Sequence, residues 1–373
     1  MLWALVMAGG LGTRLWPLSR KKFPKPFLKL IPGRASLLEE TIKRLSPLIS
    51  SKRIFVIGNE EHLSGMRKCA PRIPKSQVIG EPASRNTAAT VGLAASLILK
   101  KDPQALILVL PADHWIEDHK KFHQTIRTAE RISKRTKLFS IFGVKPTFAS
   151  ASYGYLRAGR KITVPGTLRD RFATKSIEPV PAVPGTAAVY ELKQFVEKPS
   201  AARARKFMRA GNYFWHAGIF LAPAQTILSS LIEYSPRLAW RIAKLSVRKG
   251  RIFPKAQFRS LPNISIDYAV LEKLPKAHLI QTGFKWCDVG TWKSFEDLWA
   301  QDRFGNAVLG SCLTLNSEDN IVYSQGKFIC LQGVKDLVIV DTPDALLISR
   351  KDSGEKMRKV VVHLAQKKLA KFS

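Results

Sequence analysis

No stretch of this chain approaches the roughly 18–20 uncharged apolar residues that a helix needs to cross a bilayer, so the sequence offers no membrane span. Cysteine is scarce too: Cys69, Cys287, Cys312 and Cys330 are the only four in 373 residues, far apart and without a CxxC pair. That spacing excludes a zinc finger or a disulfide framework and reads as reduced thiols in a reducing compartment. Acidic residues are few, 28 against 61 Lys and Arg, which leaves a net charge of +33. The cations are spread along the whole chain, however, and the longest unbroken run is Arg20-Lys21-Lys22. No RNP-like, zinc-knuckle or helix-turn-helix pattern accompanies them, so no specific nucleic acid is expected and the charge reads as solvated surface. The apolar opening Leu2–Ala8 has no positive segment before it and ends in Gly9-Gly10. It reads as a buried first strand rather than a secretory leader, and a cytoplasmic protein is expected.

Hydrophobic residues make up 45% of the chain, enough for a sizeable core. Through the first half, β-branched and aliphatic runs alternate with helix-length amphipathic segments. Leu2–Ala8, Arg53–Gly58, Gln77–Gly80, Ala105–Leu110 and Leu138–Gly143 are predicted strands. Glu39–Leu48, Glu60–Cys69, Asn86–Lys100 and Asp118–Lys134 are predicted helices. The alternation predicts an α/β fold with a Rossmann-like, mostly parallel sheet and ligands beyond the carboxyl ends of its strands. Residues 157–187 hold six cations and four prolines and read as a long exposed excursion. From about Gly305, short apolar runs at Ile321–Ser324, Phe328–Leu331, Leu337–Val340 and Ala345–Ser349 predict a small β-rich C-terminal domain. A basic helix, Gly354–Lys368, closes it. Expected domains are therefore 1–300 and 305–373.

The most specific string follows the first strand: Ala8-Gly9-Gly10-Leu11-Gly12-Thr13-Arg14-Leu15, then Pro17-Leu18-Ser19-Arg20, then Phe23-Pro24-Lys25-Pro26-Phe27. Three glycines in four positions allow a tight bend whose N–H groups can meet phosphate oxygens. It is neither a GxGxxG nor a GxxxxGK[ST] sequence. At these residues the chain resembles the sugar-1-phosphate nucleotidyltransferases, with their GGxGTRLxPLT/S segment and following lysine. Later strings narrow the resemblance to the mannose-1-phosphate guanylyltransferase branch, in its short form without a fused isomerase domain. They are Glu81-Pro82 with Arg85-Asn86-Thr87-Ala88-Ala89, Pro111-Ala112-Asp113-His114, Val196-Glu197-Lys198-Pro199, Ser265-Ile266-Asp267-Tyr268-Ala269 and Trp286-Cys287-Asp288-Val289-Gly290-Thr291-Trp292.

The resemblance implies a nucleotidyltransferase catalytic domain over 1–300, acting on GTP and mannose 1-phosphate to give GDP-mannose and pyrophosphate. Arg14 and Lys25 are the implied catalytic cations. Ala8, Gly9, Gly10, Gly12, Thr13, Glu81, Arg85, Asn86 and Thr87 would bind the nucleotide. Gly154, Glu197, Lys198, Asn212, His216 and Asp267 would hold the sugar phosphate. Asp113 and Asp288 would bind Mg²⁺, with Mn²⁺ as a substitute, since a hard cation takes carboxylate and phosphate oxygens. Read alone, without the resemblance, Asp113 is a helix N-cap and Asp288 an ordinary turn aspartate. Neither His114 nor His216 has ligands spaced for zinc. The chain departs from the family where Trp215-His216-Ala217-Gly218 replaces WNSG and Ser150-Ala151-Ser152-Tyr153-Gly154-Tyr155 replaces ETGYGY. Those departures bear on the sugar. The alternatives are a relative using UTP or dTTP with glucose 1-phosphate, and a catalytically weak sugar-nucleotide-binding subunit. The β-rich C-terminal domain is also a surface on which a homo-oligomer can form.

Overall fold

The computed structural model describes residues 1–31, 34–163, 187–367 and 369–372. Contacts divide the chain into two compact units. One contains 1–7, 44–111 and 116–286; the other contains 8–43, 112–115 and 287–373.

The first unit is built on strands β1 (Leu2–Ala8), β2 (Ile54–Asn59), β3 (Val78–Glu81) and β4 (Leu106–Pro111). After the short β5 (Trp115–Ile116) come β6 (Ser140–Val144), β7 (Tyr155–Ile162), β8 (Val189–Val196) and β9 (Tyr213–Pro223). Strands β10 (Ser246–Arg248), β11 (Arg251–Phe253), β12 (His278–Gln281) and the two-residue β13 (Trp286–Cys287) follow. All but β5 and β13 form one sheet in the order β10-β11-β3-β2-β1-β4-β9-β6-β12-β8-β7. The five strands predicted in the first half are present, displaced by at most two residues at either end. The expected mostly parallel sheet is instead mixed. Strand β1 runs parallel to β4 and β2 to β3, but β9 enters antiparallel to both β4 and β6, and β7 and β8 are antiparallel. Apart from its ends and Gly218, β9 is buried throughout, and that composition suits a central strand of either direction. Direction is set by the connections, which hydrophobic patterning does not encode. Within the predicted 157–187 excursion, residues through Ile162 belong to β7, while 164–186 lie outside the described residues.

The predicted helices form at α1 (Leu37–Leu45), α2 (Leu63–Cys69), α3 (Asn86–Leu99) and α4 (His119–Thr136). Helix α3 buries Ala88–Ala95 against sheet residues such as Leu5, Phe55, Ile107 and Phe220. Its near-absence of a polar face explains why it reads so clearly as interior.

In the second unit, β14 (Ala307–Leu309), β16 (Ile321–Ser324) and β18 (Leu337–Thr342) stack in parallel, and β19 (Ala345–Arg350) closes the row antiparallel. Strands β15 (Cys312–Leu315) and β17 (Ile329–Gln332) pair in parallel beside the same coil. Hydrophobic runs predict four of these strands; β14 and β15 are too short and too exposed to show. Buried amides link successive turns. Asn320 Nδ2 donates to Asn306 Oδ1 at 2.9 Å, and Leu337 N–H donates to Asn320 Oδ1 at 3.0 Å. The predicted basic helix is Met357–Gln366, after a 3-10 turn at Lys351–Lys356.

The Gly-rich segment belongs to this second unit because tryptophans fasten it there. Trp292 Nε1 donates to Trp16 O at 3.0 Å, Trp299 Nε1 to Leu30 O at 2.8 Å, and Trp16 Nε1 to Phe372 O at 2.6 Å. Trp292, Phe295, Trp299 and Tyr323 form the aromatic core beneath these bonds. Trp292→Ala removes a ring that is 2% exposed and leaves a carbonyl unpaired, at a cost of about 3–5 kcal/mol. Urea unfolding followed by fluorescence should show the midpoint of this unit falling sharply. An unchanged midpoint would remove Trp292 from the core.

Candidate active site

The second unit brings together residues from three distant segments. After β1, Gly9, Gly10 and Leu11 are exposed, and Gly12 turns the chain at φ 68° into the 3-10 turn Thr13–Leu15. A Cβ on Gly12 would stand 2.4 Å from Lys25 Cβ, so only glycine lets the loop close here. Closure is completed by two hydrogen bonds to Leu11 O, from Ser19 Oγ and, at 3.4 Å, from Lys25 N. Lys25, 5% exposed, points its ammonium at Asp113 Oδ2 at 2.9 Å and donates to Asp288 O at 2.5 Å. An ideal Cβ on Gly10 would lie 3.6 Å from Asp113 Oδ2, which places the glycine loop beside that carboxylate. Arg14, half-buried, follows in the same turn.

Burial pushes the Asp113 carboxyl up, but the Lys25 ammonium, His114 and hydrogen bonding outweigh it and hold the group below the usual carboxylate range. An ionised oxygen donor of this kind suits a hard divalent cation. Asp113 is not a helix cap: α4 is capped by Asp118, which accepts from Lys121 N–H at 3.0 Å. Asp288 meets Lys25 through its main-chain carbonyl, while its Oδ1 accepts from Gly290 N–H at 3.1 Å.

In the first unit, Glu81 ends β3 and is 7% exposed; its Oε1 accepts from Thr90 Oγ1 at 2.5 Å. Burial raises this carboxyl to about 7 against the lowering effect of Thr90. Thr90 carries no motif signal; it becomes Glu81's partner because it lies one helical turn beyond Asn86 on α3. Asn86 sits at φ 59°, and its Oδ1 accepts from Thr87 N–H at 3.0 Å. Arg85 donates to Arg259 O. The Thr87 hydroxyl accepts from Ile266 N–H at 2.8 Å, tying the Arg85–Thr87 loop to the segment that carries Asp267.

A second cluster in this unit joins Gly154, Glu197, Lys198, His216 and Asp267. His216 Nε2 lies 3.3 Å from Asp267 Oδ1, and the main-chain N–H of His216 donates to Gly154 O at 2.8 Å. His216 Nδ1 is buried without a hydrogen-bond partner. Glu197 Oε1 is 3.1 Å from Lys198 Nζ. Burial and the neighbouring Asp267 charge raise the Glu197 carboxyl above its ordinary value, against His216 and Lys198. Burial also raises Asp267, yet its hydrogen bond and charge interaction with His216 leave it lowered. Asn212 is exposed and immediately precedes β9, four residues before His216. His216, where the family has Asn, occupies the position facing Asp267.

Comparison with known proteins gives the family. A family model described as nucleotidyl transferase matches residues 3–303, and one for a mannose-phosphate isomerase/GMP-like beta-helix domain matches 310–364. A mannose-1-phosphate guanylyltransferase of Salmonella muenchen is 38% identical over 369 residues, covering 96% of this chain and 72% of the relative. The alginate biosynthesis protein AlgA of Pseudomonas aeruginosa is 33% identical, covering 96% and 71%. A crystal structure from Thermus thermophilus, described as a mannose-1-phosphate geranyltransferase, superposes with a TM-score of 0.82 at 32% identity, covering 98% of this chain and 99% of that one. The chain is a nucleotidyltransferase. Within that family it belongs to the mannose-1-phosphate guanylyltransferases, and members of the wider family generally use a divalent metal. Among the described residues, no helix is long and apolar enough to cross a membrane.

The raised Glu81 carboxyl has a measurable consequence. The folded protein keeps this proton up to about pH 7, whereas the unfolded chain releases it near the ordinary carboxylate value of 4.5. Stability from this group is thus full at low pH and lost as pH rises between those values, by on the order of 3 kcal/mol. Glu81→Gln should flatten that part of the stability–pH profile in ligand-free protein. A wild-type profile that does not decline over this range would contradict the assignment.

Proposed function

We propose that this chain transfers GMP from GTP to mannose 1-phosphate, releasing pyrophosphate and forming GDP-mannose. A phosphate oxygen of mannose 1-phosphate attacks the α-phosphorus of GTP in line. The new P–O bond forms as the bond to the β-phosphate's bridging oxygen breaks, and that electron pair leaves with pyrophosphate. The observation that carries this reading is the meeting of Lys25, Asp113 and Asp288 beside the glycine loop, in a chain whose relatives are named for this activity. An already ionised phosphate needs no general base, so the protein's work is positioning and charge neutralisation.

In this reading, residues 1–300 form the catalytic domain and 305–373 the β-rich accessory domain. The amides of Ala8, Gly9, Gly10, Gly12 and Thr13 receive the triphosphate, while Arg14 and Lys25 oppose charge building at the α-phosphoryl group. Glu81, Arg85, Asn86 and Thr87 bind the nucleoside. Glu197, Lys198, His216 and Asp267, with Gly154 and Asn212, receive the sugar phosphate. Asp113 and Asp288 hold Mg²⁺, or Mn²⁺, which supplies Lewis-acid neutralisation of phosphate charge. The protein acts in the cytoplasm and without nucleic acid or membrane, alone or as a homo-oligomer.

Purified protein with Mg²⁺ should release pyrophosphate faster with GTP than with UTP or dTTP, and faster with mannose 1-phosphate than with glucose 1-phosphate. A reversed nucleotide preference would overturn the assignment. Asp113→Asn and Lys25→Ala should each lower kcat by 10²-fold or more, on the order of one electrostatic contact at a reacting phosphate. Near-normal turnover in either folded variant would return that residue to a purely structural role.

A further inference from the structure

We propose that Glu272 is the positioning residue that sets the turn carrying Glu197 and Lys198. It stands in the short 3-10 turn Leu271–Lys273, outside every motif that marks the site in sequence. Its Oε1 accepts the main-chain N–H of Glu197 at 2.5 Å. An amide donating to a carboxylate is a charge-assisted bond, stronger than a neutral one.

That bond falls where the strand stops holding the chain. Strand β8 ends at Val196, the last residue of its ladder with β7. The next amide, that of Glu197, goes to Glu272 instead. One residue further, Lys198 adopts φ 46°, a left-handed conformation that an L-residue takes only when its surroundings impose it. The turn has two visible consequences. The Glu197 carboxylate is directed onto Gly154, where an added Cβ would meet Glu197 Oε2 at 2.5 Å. The Lys198 ammonium is left 58% exposed at the side-chain level, though 3.1 Å from Glu197 Oε1, and so can meet an anion.

Glu272 follows Asp267 by five residues on one continuous segment, Ser265–Lys273. That segment reaches the cluster twice, through Asp267 to His216 and through Glu272 to Glu197. Its N-terminal end is held by the Ile266 N–H to Thr87 hydroxyl bond. Glu272 touches no substrate in this scheme; it acts through Glu197 and Lys198.

This inference rests on the sugar-phosphate role proposed for Lys198, and its test separates the two. Glu272→Ala should raise KM for mannose 1-phosphate roughly tenfold or more, the effect of losing one hydrogen bond to a charged group. KM for GTP and kcat should stay within about twofold. Glu272→Gln retains an acceptor oxygen and should recover most of the loss. Independently of any substrate, amide hydrogen exchange at Glu197 should quicken in Glu272→Ala and return toward wild type in Glu272→Gln. Unchanged exchange at Glu197 in Glu272→Ala overturns the positioning role, as does an equal rise in KM for both substrates. Faster exchange with an unaltered KM for mannose 1-phosphate upholds Glu272 as the clamp of the turn and instead removes the sugar-phosphate role of Lys198. A melting temperature shared by wild type and Glu272→Gln keeps the rescue interpretable if the alanine variant is unstable.

Discussion

The ammonium of Lys25 is the contact that joins the separate segments of the candidate site in the second unit. It touches both Asp113 and Asp288, residues 88 and 263 positions away along the chain. At 5% exposure it has little freedom to swing, so the charge is presented from a fixed point. A buried cation is costly unless it is paired and hydrogen-bonded, and a buried carboxylate is costly for the same reason. The pair settles both debts, holds Asp113 ionised, and brings the glycine loop alongside through Gly12. Pre-placed charge of this kind requires no reorganisation when a polyanion arrives, which is how electrostatic catalysis becomes efficient.

The first unit solves its own placement problem with hydrogen bonds between loops rather than one ion pair. The Arg85–Thr87 loop is joined to Ser265–Lys273 through the Thr87 hydroxyl, and that segment reaches His216 and Glu197. Loop positions with left-handed backbone, Asn86 and Lys198, are the ones these bonds brace. Local strain that persists at such points is characteristic of functional loops. Here it has identifiable partners on both sides.

Most of this was legible in the sequence, for unequal reasons. The glycine string is visible because close backbone approach permits few residue types, whereas Lys25, Asp113 and Asp288 stand out through the family strings that contain them. The first four strands and α3 are visible because their burial is nearly complete. Sheet direction was not, since β9 has the same composition parallel or antiparallel. Strands β14 and β15 were not, because a coil of short rungs is held as much by Asn306 and Asn320 as by apolar runs. Among the residues named for the sugar side, His216 lies against Asp267. Thr90 and Glu272 were silent, because a residue that acts through another's backbone or carboxylate needs no motif of its own.

With only 28 acidic residues in the chain, six of them (Glu81, Asp113, Glu197, Asp267, Glu272 and Asp288) stand in the clusters described above. Elsewhere the surface is dominated by cations. A net positive field raises the encounter rate of phosphate-bearing ligands, but salt screens it within about 8–10 Å. It therefore acts on arrival and not on placement. Placement falls to the few carboxylates, each engaged by a lysine, a histidine, a hydroxyl or an amide. A surface of one sign and interior clusters of the other divide the electrostatic work: the first is indifferent to which polyanion approaches, and only the second can discriminate.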